Sequence, residues 1–164
     1  MNIVYTIRAL TIEDEAIVWK MLQYAAHEPS LESVQSQPYL ARYALGWGRH
    51  GDSGCVATRD AMAIGAAWLR LWSEDDKGFG YISDEIPELA MAVVPDYRGQ
   101  GIGTQLLMQV LDEANDRFPA VSLNVRADNG VIRLYERAGF IKVSGSEMSN
   151  RTGGVSFNMI RKFG

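Results

Sequence analysis

Residues 93–104 read Val-Val-Pro-Asp-Tyr-Arg-Gly-Gln-Gly-Ile-Gly-Thr and carry the most structural information in the sequence. The segment before it, 88–94, predicts a strand that stops at Pro95, because proline is tolerated only at strand ends or edges. The segment after it, 101–117, carries apolar residues at helical spacing and predicts an amphipathic helix. A strand, a glycine-rich loop and a helix therefore follow one another directly.

The loop has the composition of a phosphate site. Glycine allows a close approach of the backbone to a ligand, and Gly99, Gly101 and Gly103 lie where the helix begins. The first N–H groups of a helix, together with its dipole, bind a pyrophosphate well. A tight loop without a ligand is the alternative, which a lone Gly-x-Gly would not exclude. The spacing differs from the dinucleotide fingerprint, and no Gly-Lys-Ser/Thr occurs, which excludes a P-loop.

Patterns outside the loop predict the other elements. Thr11 and Asp14 approximate a capping box at the start of the first helix, and Gly139 is placed to cap the last one. The element order is β-α-α-β-β-β-α-β-α-β-β, which indicates an α/β fold on a mixed sheet. Further strands are predicted at 3–8, 53–58, 61–72 (turned at Arg59-Asp60), 120–125, 140–145 and 155–161, and further helices at about 11–27, 38–47 and 130–138.

Composition limits the class of protein. A length of 164 residues fits a single domain over 1–164. The net charge of −4 and the lack of a long basic block speak against a nucleic-acid partner. Cys55 is the single cysteine, so no internal disulfide forms and a reducing, cytoplasmic location is expected. Met1–Arg8 lacks the pattern of a signal peptide, and no apolar run is long enough to predict a membrane span.

Two signatures carry a family resemblance. Arg98-x-x-Gly101-x-Gly103 resembles the CoA-binding motif of the GNAT superfamily of acyl-CoA-dependent N-acyltransferases. The similarity extends upstream to Glu88-Leu89-Ala90, and residues 129–140 resemble the second signature of the family, Asn-x-x-Ala-x-x-Leu-Tyr…Gly-Phe. The resemblance implies a mixed, mostly antiparallel central sheet flanked by helices, with acetyl-CoA as the acetyl donor.

The same resemblance implies where acetyl-CoA binds. Backbone amides from Gly99 to Thr104 would grip the pyrophosphate, and the backbone of strand 90–94 would pair with the pantetheine arm. Asn129 is placed to cap the helix at 130–138, and the matching residue of the family also reaches the cofactor. The expected cofactor-binding residues are Ala92, Val93, Val94, Arg98, Gly99, Gln100, Gly101, Ile102, Gly103, Thr104 and Asn129.

Glu88 is the candidate base for the amine. An alkylamine of pKa about 10.4 must lose a proton before it attacks, at a cost of roughly 4.6 kcal/mol at pH 7. Glu88 shares a strand face with the small residues Ala90 and Ala92, which leave room for another molecule. From the pattern alone, a catalytic base and a solvated glutamate at the start of a strand are equally well supported. The resemblance favours a base, acting directly or through a water, because the family often has a glutamate at this place.

Tyr135 is the candidate proton donor for the departing thiolate. Its spacing with Val131, Leu134 and Ala138 by itself favours a core tyrosine. The resemblance implies the catalytic role, since it places this hydroxyl near the CoA sulfur. The backbone N–H near Val93 or Val94 is expected to polarise the thioester carbonyl.

The predicted function is acetyl transfer from acetyl-CoA to a primary amine of a small molecule or peptide through a ternary complex. The alternatives are a non-catalytic acyl-CoA-binding or sensing domain and a plain nucleotide or phosphate binder. No metal site is predicted, because His27 and His50 lack partners at metal spacing. Asn124 is a weaker candidate for a ligand contact. The expected partners are acetyl-CoA and the amine, without nucleic acid or membrane, and a homodimer is left open.

Overall fold

The computed structural model describes residues 3–150 and 153–164. Met1 and Asn2, which belong to the segment Met1–Arg8 that lacks a signal-peptide pattern, lie outside the described residues. Its strands and helices follow in the order β1 (Thr6–Ala9), α1 (Glu15–Ala25), α2 (Leu31–Gln35), α3 (Pro38–Ala41), β2 (Ser53–Arg59), β3 (Met62–Arg70), β4 (Glu88–Val93), α4 (Ile102–Asn115), β5 (Ala120–Arg126), α5 (Ile132–Arg137), β6 (Ile141–Lys142), β7 (Met148–Ser149) and β8 (Val155–Lys162).

The residues up to Arg70, together with Ala90–Val110, form one compact unit. In it β1 pairs with β2 and β2 with β3, both antiparallel, and β3 is the neighbour of β4. The turn between β2 and β3 lies at Asp60 and Ala61, whose φ angles are 52° and 65°. Positive φ at both central residues is typical of a type I′ hairpin turn. The turn is therefore one residue beyond the predicted position at Arg59-Asp60.

Helices α1 and α4 supply apolar faces to the core of this unit. The predicted capping box between Thr11 and Asp14 is confirmed, although it begins a 3-10 turn at Ile12–Asp14 that precedes α1. The buried helical residues recur every three or four positions, as expected for one face of a helix. They are Val18, Met21 and Leu22 of α1 and Ile102, Leu106, Leu107 and Val110 of α4.

The predicted helix at 38–47 is wrong in length. Only α3 is helical there, and turns follow it as far as Gly48. Gly46 and Gly48 have φ angles of 69° and 106°, which do not continue a right-handed helix. A separate helix, α2, was not predicted; the Ser30 side chain caps it by accepting from the Ser33 N–H.

Leu71–Leu89 and the residues from Leu111 onward form the second compact unit. Glu88 of β4 pairs in parallel with Ser122 of β5, and β5 runs antiparallel to β8 over its whole length. β6 and β7 both pair with β8, so the predicted strand at 140–145 is limited to Ile141–Lys142. Gly145 has a φ of 77° and belongs to the turn that interrupts it.

The predicted α/β class with a mixed, mostly antiparallel sheet is confirmed. Gly139 ends α5 with a φ of 95°, as its predicted capping role requires. That residues 1–164 form a single domain stays a prediction. In the described part of the chain, no helix has both the length and the apolar character needed to cross a membrane.

Candidate active site

The glycine-rich loop begins with a 3-10 turn at Pro95–Tyr97. Gly99 and Gly101 then have φ angles of 76° and 83°, a region that favours glycine. A Cβ atom built at either position would meet no atom within 4 Å. Backbone conformation therefore explains the need for glycine, and the side of the loop where side chains would project is open to a ligand.

Helix α4 starts directly after this loop. Its side chain at Ile102 is buried, which fixes the first turn of the helix against the core of its unit. The Gln105 N–H donates to the Gly101 carbonyl over 3.2 Å. The N–H groups before it, from Ile102 to Thr104, have no partner within the helix and carry its positive dipole end. This arrangement binds anions.

Val94 cannot serve as the predicted donor to the thioester carbonyl. Its N–H already donates to the Ile64 carbonyl of β3 over 2.8 Å. N–H groups alternate along a strand, so that of Val93 points to the edge away from β3. The Val93 carbonyl shares this edge and accepts from Arg98 Nε over 3.1 Å. Of the two predicted donors, Val93 remains.

Glu88 is buried, with 6% of its surface exposed, so the interpretation as a solvated glutamate at a strand start is wrong. Its Oε1 accepts a hydrogen bond of 2.9 Å from Trp72 Nε1. A Cβ at Gly78 would overlap this carboxylate and the indole, and a Cβ at Gly80 would lie 2.8 Å from Glu88 Cδ. The two glycines thus allow the backbone to pass directly against the acid.

The loop between Trp72 and Glu88 is anchored to β5 and has a charged outer side. Ser122 Oγ donates to the Gly80 carbonyl over 2.6 Å. The Tyr81 hydroxyl donates to Asp84 over 2.5 Å, and this bond raises the pKa of Tyr81 to about 12. The acidic side chains of the loop are exposed; they are Glu74, Asp75, Asp76, Asp84 and Glu85.

Tyr135 lies on α5 with 8% of its surface exposed. Its ring packs edge-on against Phe140, with 5.7 Å between the centroids. Burial raises the pKa of the Tyr135 hydroxyl above the ordinary value, because the charged phenolate loses its hydration. The hydroxyl therefore keeps its proton near neutral pH, which a general acid requires.

Comparison with known proteins assigns the family. Residues 17–140 match the model of the acetyltransferase (GNAT) family. The chain belongs to this family. The matched range includes the glycine loop, Glu88, Asn129 and Tyr135, so the predicted family is confirmed.

Individual relatives of this GNAT protein have diverged far. Mycothiol acetyltransferase of Propionibacterium freudenreichii is 29% identical over 122 residues, 72% of this chain and 36% of that protein. Ribosomal protein bS18-alanine N-acetyltransferase of Escherichia coli is 44% identical over 61 residues, 36% of this chain and 41% of that protein. The match thus spans less than half the length of these curated relatives.

A solved structure shares the fold. The structure of yncA from Salmonella typhimurium with its cofactor acetyl-CoA has a TM-score of 0.72 to this chain at 19% identity. The comparison covers 99% of this chain and 95% of that one. The GNAT fold is therefore common to both proteins.

Two asparagines of this GNAT protein were also candidates for ligand contacts. Asn129 Oδ1 accepts from the Val131 N–H over 3.0 Å and closes the turn that leads into α5. The N-cap of α5 itself is Val131, without a side-chain hydrogen bond, so the predicted cap by Asn129 is displaced from the helix into this turn. Asn124 Nδ2 donates to Asn158 Oδ1 over 3.0 Å, across a directly paired position of β5 and β8. A structural partner thus accounts for the side-chain amide nitrogen of Asn124.

Sequence reasoning missed the partners of Glu88. Trp72 follows the end of β3, and nothing in its spacing indicates a hydrogen bond to a residue 16 positions later. The Gly-Phe-Gly of residues 78–80 was the available signal, because paired glycines in a charged loop indicate a close backbone contact. The structure gives Glu88 and Tyr135 separate partners, Trp72 and Phe140.

Proposed function

We propose that this chain is an N-acetyltransferase that moves an acetyl group from acetyl-CoA to a primary amine through a ternary complex. The observation that carries the proposal is the loop at Gly99 and Gly101, in a chain of the GNAT family. Its backbone is left-handed, its outer side is open, and it leads directly into α4.

The residues present fit acetyl-CoA. The amides from Gly99 to Thr104 would hold the pyrophosphate, with the exposed guanidinium of Arg98 beside them in the chain. The edge of β4 that points away from β3 would hold the amide-bearing pantetheine arm, and Asn129 completes the proposed set. When bound, acetyl-CoA supplies the acetyl group as a thioester.

Two buried side chains of this chain would handle protons. Glu88 takes a proton from the ammonium form of the acceptor, directly or through a water. Tyr135 holds the proton that the departing sulfur needs, since burial keeps its hydroxyl protonated. The Val93 N–H would stabilise the developing negative charge on the carbonyl oxygen.

The acceptor we propose is an amine that is cationic in solution. Its attraction comes from the exposed acidic residues of the loop before Glu88 and from the net charge of −4, which raise encounter rates at low salt. One relative is named ribosomal protein bS18-alanine N-acetyltransferase, so a peptide with an N-terminal alanine is among the acceptors worth testing.

Location and assembly are part of the proposal. Cys55 is a buried thiol outside any disulfide, which fits the reducing cytoplasm. Whether the enzyme acts as a monomer or a homodimer is tested by analytical ultracentrifugation. The proposal includes no nucleic acid and no membrane among the partners.

An acceptor panel tests the function. Purified protein and acetyl-CoA are mixed with spermidine, lysine, an aminoglycoside and an N-terminal alanine peptide, and CoA release is followed. We expect release above background hydrolysis with at least one amine. Acetyl-CoA binding without release would instead favour the non-catalytic acyl-CoA-binding domain, and absence of binding would exclude both.

A further inference from the structure

We infer that Trp72 is a positioning residue for Glu88, an inference that rests on the proposed function. Its indole holds the carboxylate in the orientation in which it takes the proton from the acceptor. Trp72 Nε1 donates to Glu88 Oε1 over 2.9 Å. The two residues are 5% and 6% exposed, so this bond lies away from bulk water.

The chemistry of the indole suits this task. Its N–H donates and cannot accept, so it recognises an acceptor oxygen and leaves the carboxylate able to receive a proton. A hydrogen bond to a charged acceptor is stronger than one between neutral groups. The bond therefore fixes the rotamer of Glu88 and favours its charged form, which a base requires.

The backbone opposite the indole restricts the carboxylate as well. Gly78 and Gly80 pass so close that a Cβ at either would overlap Glu88. Ser122 Oγ fixes this backbone by donating to the Gly80 carbonyl over 2.6 Å. The Trp72 indole and the backbone at Gly78 and Gly80 therefore restrict the Glu88 carboxylate together.

The charged side chains of the loop before Glu88 are exposed, and Tyr81 is hydrogen-bonded to Asp84. β5 presents Ser122, which does not titrate, at the paired position. The exposed charged residues of the loop are Glu74, Asp75, Asp76, Lys77, Asp84 and Glu85.

The test is a double-mutant cycle with the acceptor found in the panel. Trp72→Phe keeps an aromatic ring and removes the donor. We expect a fall in kcat of about tenfold to 10²-fold, as small misplacements of catalytic groups produce. The acidic limb of the kcat/KM profile should move to higher pH, and acetyl-CoA affinity should not change. In the Glu88→Gln background, Trp72→Phe should leave kcat unaltered, since the group it positions no longer acts.

Matched variants separate positioning from packing. Trp19 makes the same kind of bond to Glu15, over 3.0 Å, so Trp19→Phe removes an equivalent donor and should leave the rate and the profile at wild type. Gly78→Ala places a methyl group against the same carboxylate and should shift the pH profile in the same way as Trp72→Phe. This variant provides the test if Trp72→Phe does not fold.

Each outcome decides the inference. Equal losses from Trp72→Phe in both backgrounds, or a wild-type rate and profile, would overturn positioning while the base role of Glu88 stands. A wild-type profile for Glu88→Gln, or no acetylation of any panel amine, would instead defeat the proposed function, and the inference with it.

Discussion

The guanidinium of Arg70 and the carboxylate of Asp52 form a bidentate ion pair whose side chains are 2% and 1% exposed. Arg70 Nε and one Nη donate to the two carboxylate oxygens over 3.0 and 2.7 Å. The other Nη donates to the carbonyls of Arg42 and Leu45, each over 2.7 Å. One buried pair thus connects β3 to both ends of the turn segment 42–52.

Asp52→Ala should therefore destabilise the protein strongly. It leaves the Arg70 charge buried without its partner, a change that typically costs about 3–5 kcal/mol. Urea unfolding at neutral pH measures the effect. Glu147→Ala is the control, because it removes the pair between Lys142 and Glu147, whose side chains are 49% and 45% exposed. An exposed pair contributes little, so no measurable change is expected there, and an equal loss in both variants would contradict this account.

Asp14 should make stability depend on pH in the acid range. The hydrogen bonds from Arg8 lower the pKa of Asp14 from 3.8 to about 2. A carboxyl with a depressed folded pKa stabilises the fold above its unfolded pKa and loses this contribution as pH falls through the folded value. Asp14→Asn should thus be less stable than wild type at pH 6 and approach it near pH 2 in urea titrations. The exposed Asp116→Asn is measured alongside as the control; a pH-independent Asp14→Asn difference would argue against the ion pair.

Gly101→Val should weaken acetyl-CoA binding beyond its effect on folding. The left-handed backbone at Gly101 strains any branched residue, and the new side chain projects into the space proposed for the pyrophosphate. We expect at least about a tenfold loss of affinity by calorimetry, which corresponds to 1.4 kcal/mol. Gly145→Val is the control, since Gly145 also has a positive φ, 77°, and no atom within 4 Å of a built Cβ. If both variants bind acetyl-CoA like wild type, the loop is not the cradle.

Tyr135→Phe should keep the packing against Phe140 and remove the proton donor. General acids contribute about 10²–10⁴-fold, and we expect kcat to fall near the lower end of that range. Since burial raises the pKa of this hydroxyl, deprotonation of Tyr135 should not lower the wild-type rate below pH 10. Tyr24→Phe on α1 is the control. A wild-type kcat for Tyr135→Phe would assign this tyrosine to the core alone.

The parts of the fold that local chemistry determines could be predicted. The loop at residues 93–104 was predictable, because a proline, three glycines and a helical apolar pattern each act within a few residues. The cap at Gly139 and the capping box at Thr11 and Asp14 were predictable for the same reason. The predicted helix at 38–47 was too long, because regular helix ends at Ala41 and the aromatic spacing continues through turns that include Gly46 and Gly48 at positive φ.

Long-range contacts were not predictable from one sequence. Pattern alone left Glu88 divided between a solvated residue and a base, and its burial results from Trp72 and from the backbone at Gly78 and Gly80. The pairing of Arg70 with Asp52 depends on the register of β2 and β3, which composition does not encode. The role of Val94 was likewise decided by its hydrogen bond to Ile64.

The pH–rate profile of Glu88→Gln shows whether this chain is an N-acetyltransferase whose buried Glu88 deprotonates the amine. Glutamine keeps the shape of the side chain and can still accept from Trp72, but it cannot take a proton at these pH values. We expect a rate far below wild type at pH values under the pKa of the acceptor amine and partial recovery above it, where neutral amine is plentiful, with unchanged acetyl-CoA affinity. A profile that coincides with wild type at every pH would contradict it.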